Sequence, residues 1–471
     1  MTGLLQLSVS SVPCLSRAPP RRYGASGPQG AGPRPTEVVP VTEPIDDGRK
    51  AGHHERVDDD GGQVAKWKII GPGIVVAGTG VGAADMVATL VAGSRYGYML
   101  LWAVLFGVIM KIILVEGAGR YSLATGYTMF EGWRRLGKWT TFYFAPYIVI
   151  WGFVYGASAM SSTALPLAAL FPQVPLIAFA IATGIIGFLL VWFNHYAIVE
   201  KVSAVLVGLM FLTIVTLAII ALPNVPEMLG GLVPRLPDDP NGIMYTLALA
   251  GGVGGTITLA AYGYWLREKG WYTPKWMQVM RIDNTMAYVI TGIFVVSMLI
   301  VGAEVVRAAG VTLSAGDKGL LDLERVLEER YGLFVGKAFL VGFFAAALSS
   351  VIGVWNGVSL MFADFMGRMR GLPDGHPDTR VGGKYFKWYL IWLTFPPMIL
   401  LFLDQPFGLI IAYGVLGALF MPFMAVANLG LLNGKHIPAE WRNNWWQNIA
   451  LGITAVLFII LGVYQLWNAI T

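Results

Sequence analysis

Apolar blocks of about 20 residues recur along most of the chain, and they constrain the fold more than any other feature. A helix of about 20 apolar residues is long enough to cross the hydrocarbon core of a bilayer. Eleven such blocks lie at residues 68–92, 97–116, 140–170, 174–193, 199–222, 243–266, 284–306, 333–362, 388–403, 408–431 and 448–468. The sequence therefore predicts an all-α polytopic membrane protein with about 11 transmembrane helices.

The charge content supports a membrane protein. Only 13% of the 471 residues are charged and 56% are hydrophobic, whereas soluble domains carry about 25% charged residues. Lys and Arg collect in the loops on one side, as in cytoplasmic loops of membrane proteins. We therefore expect no nucleic-acid partner and a multi-pass protein of the plasma (inner) membrane, with a cytoplasmic N-terminus and an external C-terminus.

Residues 1–65 differ from the rest, because they are rich in Pro, Gly and Arg. This composition predicts a disordered cytoplasmic tail, or a start codon assigned too far upstream, before an eleven-helix transporter domain at 66–471. The only cysteine is Cys14, which excludes an intramolecular disulfide and a multi-thiolate metal site.

A single carboxylate, Asp85, lies inside the first apolar block, at the end of the run GTGVGAAD that begins at Gly78. A charged side chain at membrane depth is costly and usually marks an ion or substrate path. The glycines before it allow a helix to open and expose its carbonyls beside the carboxylate. Lys111 and Glu116, in the second block, lie close enough to its end to snorkel or to form a pair.

The sixth block contains a second glycine cluster, from Gly251 to Gly255. Each cluster alone is compatible with close helix packing. Because each opens a group of five blocks, the pair predicts an inverted 5+5 repeat in which helices 1 and 6 are broken around a substrate site.

At this point the chain resembles the Nramp (natural-resistance-associated macrophage protein) family of divalent-metal transporters over nearly all of residues 67–445. The stretches that carry the resemblance are Gly71 to Tyr98, Arg120 to Gly126, Ala346 to Ser350 and Met421 to Phe423. The resemblance implies a LeuT-like fold and a divalent cation as the transported substrate, with no resident cofactor and no enzymatic activity.

The chain departs from the family at the motifs that hold the metal. The family's Asp-Pro-Gly-Asn falls on Gly82 to Asp85, and its Met-Pro-His falls on Ala260 to Tyr262. A family Gln falls on Gly414, and the third block contains no carboxylate. This pattern resembles the Nramp-related magnesium transporter branch. The candidate metal-site residues are Asp85, Gly82, Thr79, Ile257, Thr258, Ala260, Tyr262 and Gly414.

The ligand chemistry of this set points to a hard ion. The thioether of a Met side chain favours soft or borderline metals, and this chain has Ala260 where the family has that Met. Sites built from oxygen ligands alone suit magnesium, calcium and manganese. We therefore predict magnesium as the substrate, with manganese as a surrogate. Uptake is expected to be driven by the membrane potential without protons, because the third block is free of acids.

Other functions remain open at this stage. One is a proton-coupled manganese or iron transporter on the same scaffold, and another is a transporter of organic solutes, against which Asp85 argues. A membrane enzyme is disfavoured because no Ser-His-Asp set or His cluster is visible. The partners expected are the lipid bilayer and the metal ion. The oligomeric state is left open, with a monomer sufficient.

Overall fold

The computed structural model describes residues 71–470 apart from 194–195, 239–241, 253–254, 311–316 and 404–405. The predicted tail at 1–65 lies outside the described residues. In chain order the helices are α1 (Pro72–Gly80), α2 (Ala83–Tyr96), α3 (Leu101–Thr125), α4 (Met129–Leu136), α5 (Lys138–Leu170), α6 (Leu176–Phe193), α7 (Tyr196–Ile220), α8 (Val225–Gly230), α9 (Gly242–Gly252), α10 (Thr258–Glu268), α11 (Met277–Val301), α12 (Asp317–Tyr331), α13 (Leu333–Met369), α14 (Lys384–Thr394), α15 (Met398–Leu401), α16 (Pro406–Leu432) and α17 (Trp445–Ile470).

The helices reproduce the eleven apolar blocks, which confirms the predicted fold class. Segments one, six and nine consist of two helices each: α1 with α2, α9 with α10, and α14 with α15. A π-helical stretch, Gly302–Arg307, extends α11. Six of the described helical stretches are each long and apolar enough to cross a membrane: α3, α5, α6, α7, Pro274–Arg307 and α13.

The breaks have local causes. Segment nine is interrupted where Pro396 and Pro397 remove two backbone donors, after which α15 begins at Met398. Segments one and six are interrupted inside their glycine clusters, where the missing side chains weaken the helix. Each broken glycine helix opens one half of the inverted repeat, as predicted.

Two long helices form the frame around the first break. α5 has 33 residues and α13 has 37, so at about 1.5 Å per residue both exceed the roughly 30 Å thickness of the hydrocarbon core. α13 packs against α1, α5 and α7. Its central stretch is almost continuously buried, from Ala345 to Met361, so this helix crosses the middle of the molecule.

Candidate functional site

The first break lies around Gly82, between α1 and α2. The last carbonyls of a helix have no partner within it. Two of those at the end of α1 accept hydrogen bonds from α13: Ser349 Oγ donates to the Gly78 carbonyl over 3.2 Å, and Ser350 Oγ donates to the Thr79 carbonyl over 3.3 Å. The two serines therefore hold the open end of α1 in place.

The second break lies between Gly252, where α9 ends, and Thr258, where α10 begins. Gly255 has a φ of +89°, a backbone conformation that favours glycine. A Cβ atom placed on Gly255 would lie 3.5 Å from the Cα atom of Gly80. The two breaks therefore meet, as the paired glycine clusters predicted.

Thr256 supplies a polar group at this meeting point. Its side chain is 5% exposed, and its hydroxyl has no hydrogen-bond partner among the described residues. The neighbouring carbonyls are partly used, since those of Thr256 and Ile257 accept the N–H groups of Leu259 and Ala260 over 3.2 and 3.1 Å. A buried hydroxyl without a partner is costly, so Thr256 is suited to bind a ligand.

A small cavity of about 20 Å³, with room for about one water molecule, adjoins the first break. The side chains that line it come from α5, α13 and α16, and its polar groups are hydroxyls. Tyr155 Oη lies 3.0 Å from Ser350 Oγ across it. The lining residues are Gly82, Tyr155, Ser158, Ala159, Ser162, Ala347, Ser350 and Tyr413.

Several predicted site residues lie at the breaks. Gly82 lines the cavity, and Ile257, Thr258 and Ala260 are buried at the start of α10. The hydroxyl of Thr79 donates to the Val76 carbonyl over 2.9 Å, which leaves the lone pairs of its oxygen for a ligand.

Asp85 and Gly414 are described only in part. Asp85 lies in the first turn of α2, directly after the first break, and Gly414 lies in α16. The side chain of Asp85 and the surroundings of Gly414 are outside the described part of the structure. Among the described residues, no group of three or more His, Cys, Asp or Glu side chains could hold a metal ion.

Lys111 lies at the depth of the second break. α3 runs beside both halves of segment six: Gly107 packs against the backbone of Ala250, and a Cβ on Gly119 would lie 3.1 Å from Tyr262. Lys111 falls between these contacts and is 0% exposed. Lys111 therefore does not snorkel, which leaves the alternative that it forms a pair, and its side chain is buried at the depth of the second break.

Glu116 does form the expected kind of pair. Its carboxylate contacts Arg120 over 3.2 Å and Arg281 over 3.0 Å. Arg120 also donates to Asn443 Oδ1 over 2.7 Å and to the Trp441 carbonyl over 3.2 Å. This network joins α3 to α11 and to the loop before α17, which is a structural role.

The comparisons with known proteins identify the family. The model of the Nramp family, natural resistance-associated macrophage protein-like, matches residues 73–468. This chain belongs to the Nramp family. A relative in Mycobacterium tuberculosis (strain CDC 1551 / Oshkosh), the divalent metal cation transporter MntH, is 24% identical over 309 residues, which are 63% of this chain and 70% of the relative. MntH of Mycobacterium leprae is 23% identical over 418 residues, 84% of this chain and 92% of the relative.

Solved structures share the fold of this Nramp protein. The manganese transporter of Eremococcus coleocola, in complex with an aromatic bis-isothiourea substituted compound, superposes with a TM-score of 0.70 at 15% identity, covering 86% of this chain and 87% of the other. MhsT in complex with L-phenylalanine superposes with a TM-score of 0.56 at 14% identity, covering 85% and 98%. The chain is thus a multi-pass membrane protein of a transporter family and not an enzyme.

At the Nramp Met-Pro-His motif, one predicted ligand is committed elsewhere. The hydroxyl of Tyr262 donates to Asp283 Oδ2 over 2.9 Å and lies 3.1 Å from the Met280 carbonyl. Asp283 in turn contacts the start of α1, about 10 Å along that helix from Gly80. The structure therefore places the Tyr262 hydroxyl away from the breaks, and Tyr262 is removed from the candidate ligand set.

Sequence reasoning missed Asp283 and Thr256. Asp283 was missed because the seventh apolar block was placed at 284–306, whereas α11 begins at Met277, so the carboxylate is inside the helix. Asp283 directly precedes that block in the sequence, and this position was the signal that could have revealed it. Thr256 sits within the second glycine cluster, and nothing in the sequence distinguishes its hydroxyl from that of Thr258.

Proposed function

We propose that this Nramp-family protein moves divalent metal cations across the plasma (inner) membrane by alternating access, with magnesium as the main substrate and manganese as a surrogate. The observation that carries the proposal is the meeting of the two helix breaks beside a hydroxyl-lined cavity. Half-helix ends that converge near mid-membrane provide carbonyl ligands for cations. The relatives named as divalent metal cation transporters support this substrate class.

The proposed ligands are all oxygen atoms. The Asp85 carboxylate supplies the charge, and backbone carbonyls at the ends of α1 and α9 supply neutral ligands. The unpartnered hydroxyl of Thr256 is added to this set. Gly82, Ile257, Thr258 and Ala260 shape the site, with Gly414 completing it from α16.

The absence of soft ligands supports magnesium. Ala260 stands where the family has Met, and the cavity is lined by Gly, Ala, Ser and Tyr residues, so its described lining offers neither thioether nor imidazole. Thioethers favour soft or borderline ions, whereas magnesium binds oxygen and keeps several of its waters. The side chains at the breaks are small, and the adjoining cavity has room for about one water beside them.

Transport is proposed to proceed without net proton movement. Where proton-coupled members have acids in the third segment, α5 presents the hydroxyls of Tyr155, Ser158 and Ser162 to the cavity. A membrane potential of about 100 mV contributes roughly 2.3 kcal/mol per charge, or roughly 4.6 kcal/mol for a divalent ion. A potential that is negative inside draws the cation inward.

The organic-solute alternative is weighed against Asp85. Asp85 lies in the first turn of α2, and a carboxylate there repels an anionic substrate. The family membership and the oxygen-lined breaks favour the cation, so the solute transporter is retained as the second candidate.

One flux assay separates these candidates. The full chain is reconstituted in liposomes that contain a magnesium indicator and a pH dye, under a potential that is negative inside. We expect magnesium and manganese uptake that depends on the potential and leaves the internal pH unchanged. Acidification that tracks metal uptake would support the proton-coupled carrier, and the absence of any magnesium uptake would refute the magnesium assignment.

A further inference from the structure

We propose that Asp283 is a proton-binding latch: its carboxylate fastens the half-helix α1 to the rest of the protein, and its protonation releases α1. The role of this release rests on the proposed transport function, because release of α1 opens one side of the proposed metal site. Its geometry is independent of which cation is carried.

The contacts between Asp283 and α1 are direct. Gly71 N donates to Asp283 Oδ1 over 3.1 Å, and Gly73 N donates to Oδ2 over 2.7 Å. Both N–H groups belong to the start of α1, where they have no partner within the helix. Asp283 is 5% exposed, so water does not readily replace these bonds.

The fit leaves no room for a side chain on α1. A Cβ on Gly73 would lie 2.8 Å from Asp283 Cγ, and a Cβ on Gly71 would lie 2.8 Å from the Trp271 ring. Atoms at such distances overlap. The two glycines therefore let the backbone of α1 approach the carboxylate closely enough for both bonds to form.

Tyr262 brings the second broken segment to the same carboxylate. Its hydroxyl donates to Asp283 Oδ2 over 2.9 Å from α10. One side chain on α11 thus ties together the halves α1 and α10, which lie on the same side of the two breaks. Releasing it would loosen this side of the site and leave the halves α2 and α9 in place.

Asp283 differs from the neighbouring carboxylates because, among the described residues, they are paired with Arg or Lys side chains and it is not. Nearby, Glu116 on α3 is paired with Arg120 and Arg281, and Glu200 on α7 is paired with Lys269 over 2.6 Å. The remaining titratable groups that interact with it are Tyr196 and Tyr262. In the described part of the chain, Asp283 pairs with no lysine or arginine and is held by neutral donors alone.

Protonation changes what this carboxyl can accept. An ionised carboxylate accepts all three donors. The neutral acid can turn its O–H toward the Tyr262 oxygen, and the Tyr262 hydroxyl then donates to the Met280 carbonyl 3.1 Å away. Protonation therefore replaces charge-assisted hydrogen bonds to α1 by neutral ones. Hydrogen bonds to a charged group are the stronger kind. Because the proton enters and leaves on the side of α1, the latch makes opening depend on pH without carrying protons across the membrane.

The test measures exposure of α1 and uses no metal. In the full chain with Cys14→Ser, the half-buried Ile74 of α1 is changed to Cys, and its reaction rate with a soluble thiol reagent is compared with and without Asp283→Asn. We expect Asp283→Asn to react about tenfold faster at about pH 8, as for loss of one hydrogen bond to a charged group. The ratio should fall toward one as the pH is lowered and the native carboxyl takes up its proton. Comparing the two proteins at each pH cancels the titration of the thiol itself.

Asp364→Asn is the matched control, because Asp364 accepts a hydrogen bond from Tyr264 of the same half-helix over 2.8 Å and does not contact α1 through any described hydrogen bond. Tyr262→Phe removes one donor of three and should give an intermediate ratio, which keeps the test informative if Asp283→Asn folds poorly. Equal rates with and without Asp283→Asn at about pH 8, or the same acceleration by Asp364→Asn, would overturn the latch. Loss of magnesium flux with the labelling pattern intact would instead count against the proposed function alone.

Discussion

At the scale of single residues, the proposed site has a small side chain, Ala260, where we expect the family to have a soft metal ligand. Ala260 is 0% exposed at the start of α10, directly after the second break. A methyl group there contributes no ligand atom, and the nearest unpartnered polar group in the described part of this segment is the hydroxyl of Thr256. The ion preference of the site is therefore set by oxygen donors, and restoring one thioether should alter it.

Ala260→Met tests the hardness of the site. The thioether should favour manganese over magnesium, so we expect the manganese-to-magnesium ratio of binding constants to rise about tenfold, a change worth about 1.4 kcal/mol. Competitive titration of the purified full chain measures this ratio within one sample, which controls for losses of folded protein. An unchanged ratio would contradict the assignment of Ala260 to the site.

The sequence revealed the residues of the breaks better than the contacts around them. Gly82 and Thr258 could be placed from the glycine clusters because missing side chains weaken a helix. The contacts of Tyr262 could not be predicted, because the sequence does not indicate that its hydroxyl bonds to Asp283, 21 residues away. Asp283 was hidden by a boundary error, because hydropathy fades gradually at a helix end.

At the scale of helices, the half-helix α1 is held by close backbone approach and not by large side chains. Ser349 and Ser350 fix its end near the break, and Asp283 fixes its start. A half-helix of nine residues is too short to be stable alone in water. Its position therefore depends on these hydrogen bonds together with its packing against α7, α10, α11 and α13, where Val75 and Val76 are buried.

Gly73→Ala should loosen this element. The added methyl would overlap the Asp283 carboxyl, and overpacking of this kind costs about 1–3 kcal/mol. We expect a lower midpoint of thermal unfolding and faster thiol labelling in the Cys14→Ser, Ile74→Cys background, at every pH. Gly78→Ala is the matched control on the same helix, since its methyl meets a movable Val207 side-chain atom at 3.1 Å. Equal effects of the two substitutions would contradict the special role of the Gly73 contact.

The helices themselves were predictable because membrane segments follow from apolar length. The eleven blocks match the helical segments, and the long blocks three and eight became α5 and α13. The exact ends of the half-helices were not predictable, because runs of glycine and alanine carry no apolar periodicity. Tertiary contacts from α13 decide where α1 stops.

At the scale of the whole molecule, two mirrored broken helices bring their open ends together inside a frame of continuous helices. This arrangement offers main-chain oxygen at mid-membrane, and a divalent ion gains roughly 4.6 kcal/mol from a potential of about 100 mV. Main-chain carbonyls carry no net charge, so the proposed site relies on the carboxylate of Asp85 for its affinity.

Isothermal titration of the purified full chain with magnesium and with manganese tests this account most directly. Native protein and Asp85→Ala are compared after both are shown to be folded by the same unfolding midpoint. We expect saturable binding of both ions to the native protein and loss of both in Asp85→Ala. Magnesium binding that persists unchanged in Asp85→Ala would contradict a site at the meeting of the two breaks.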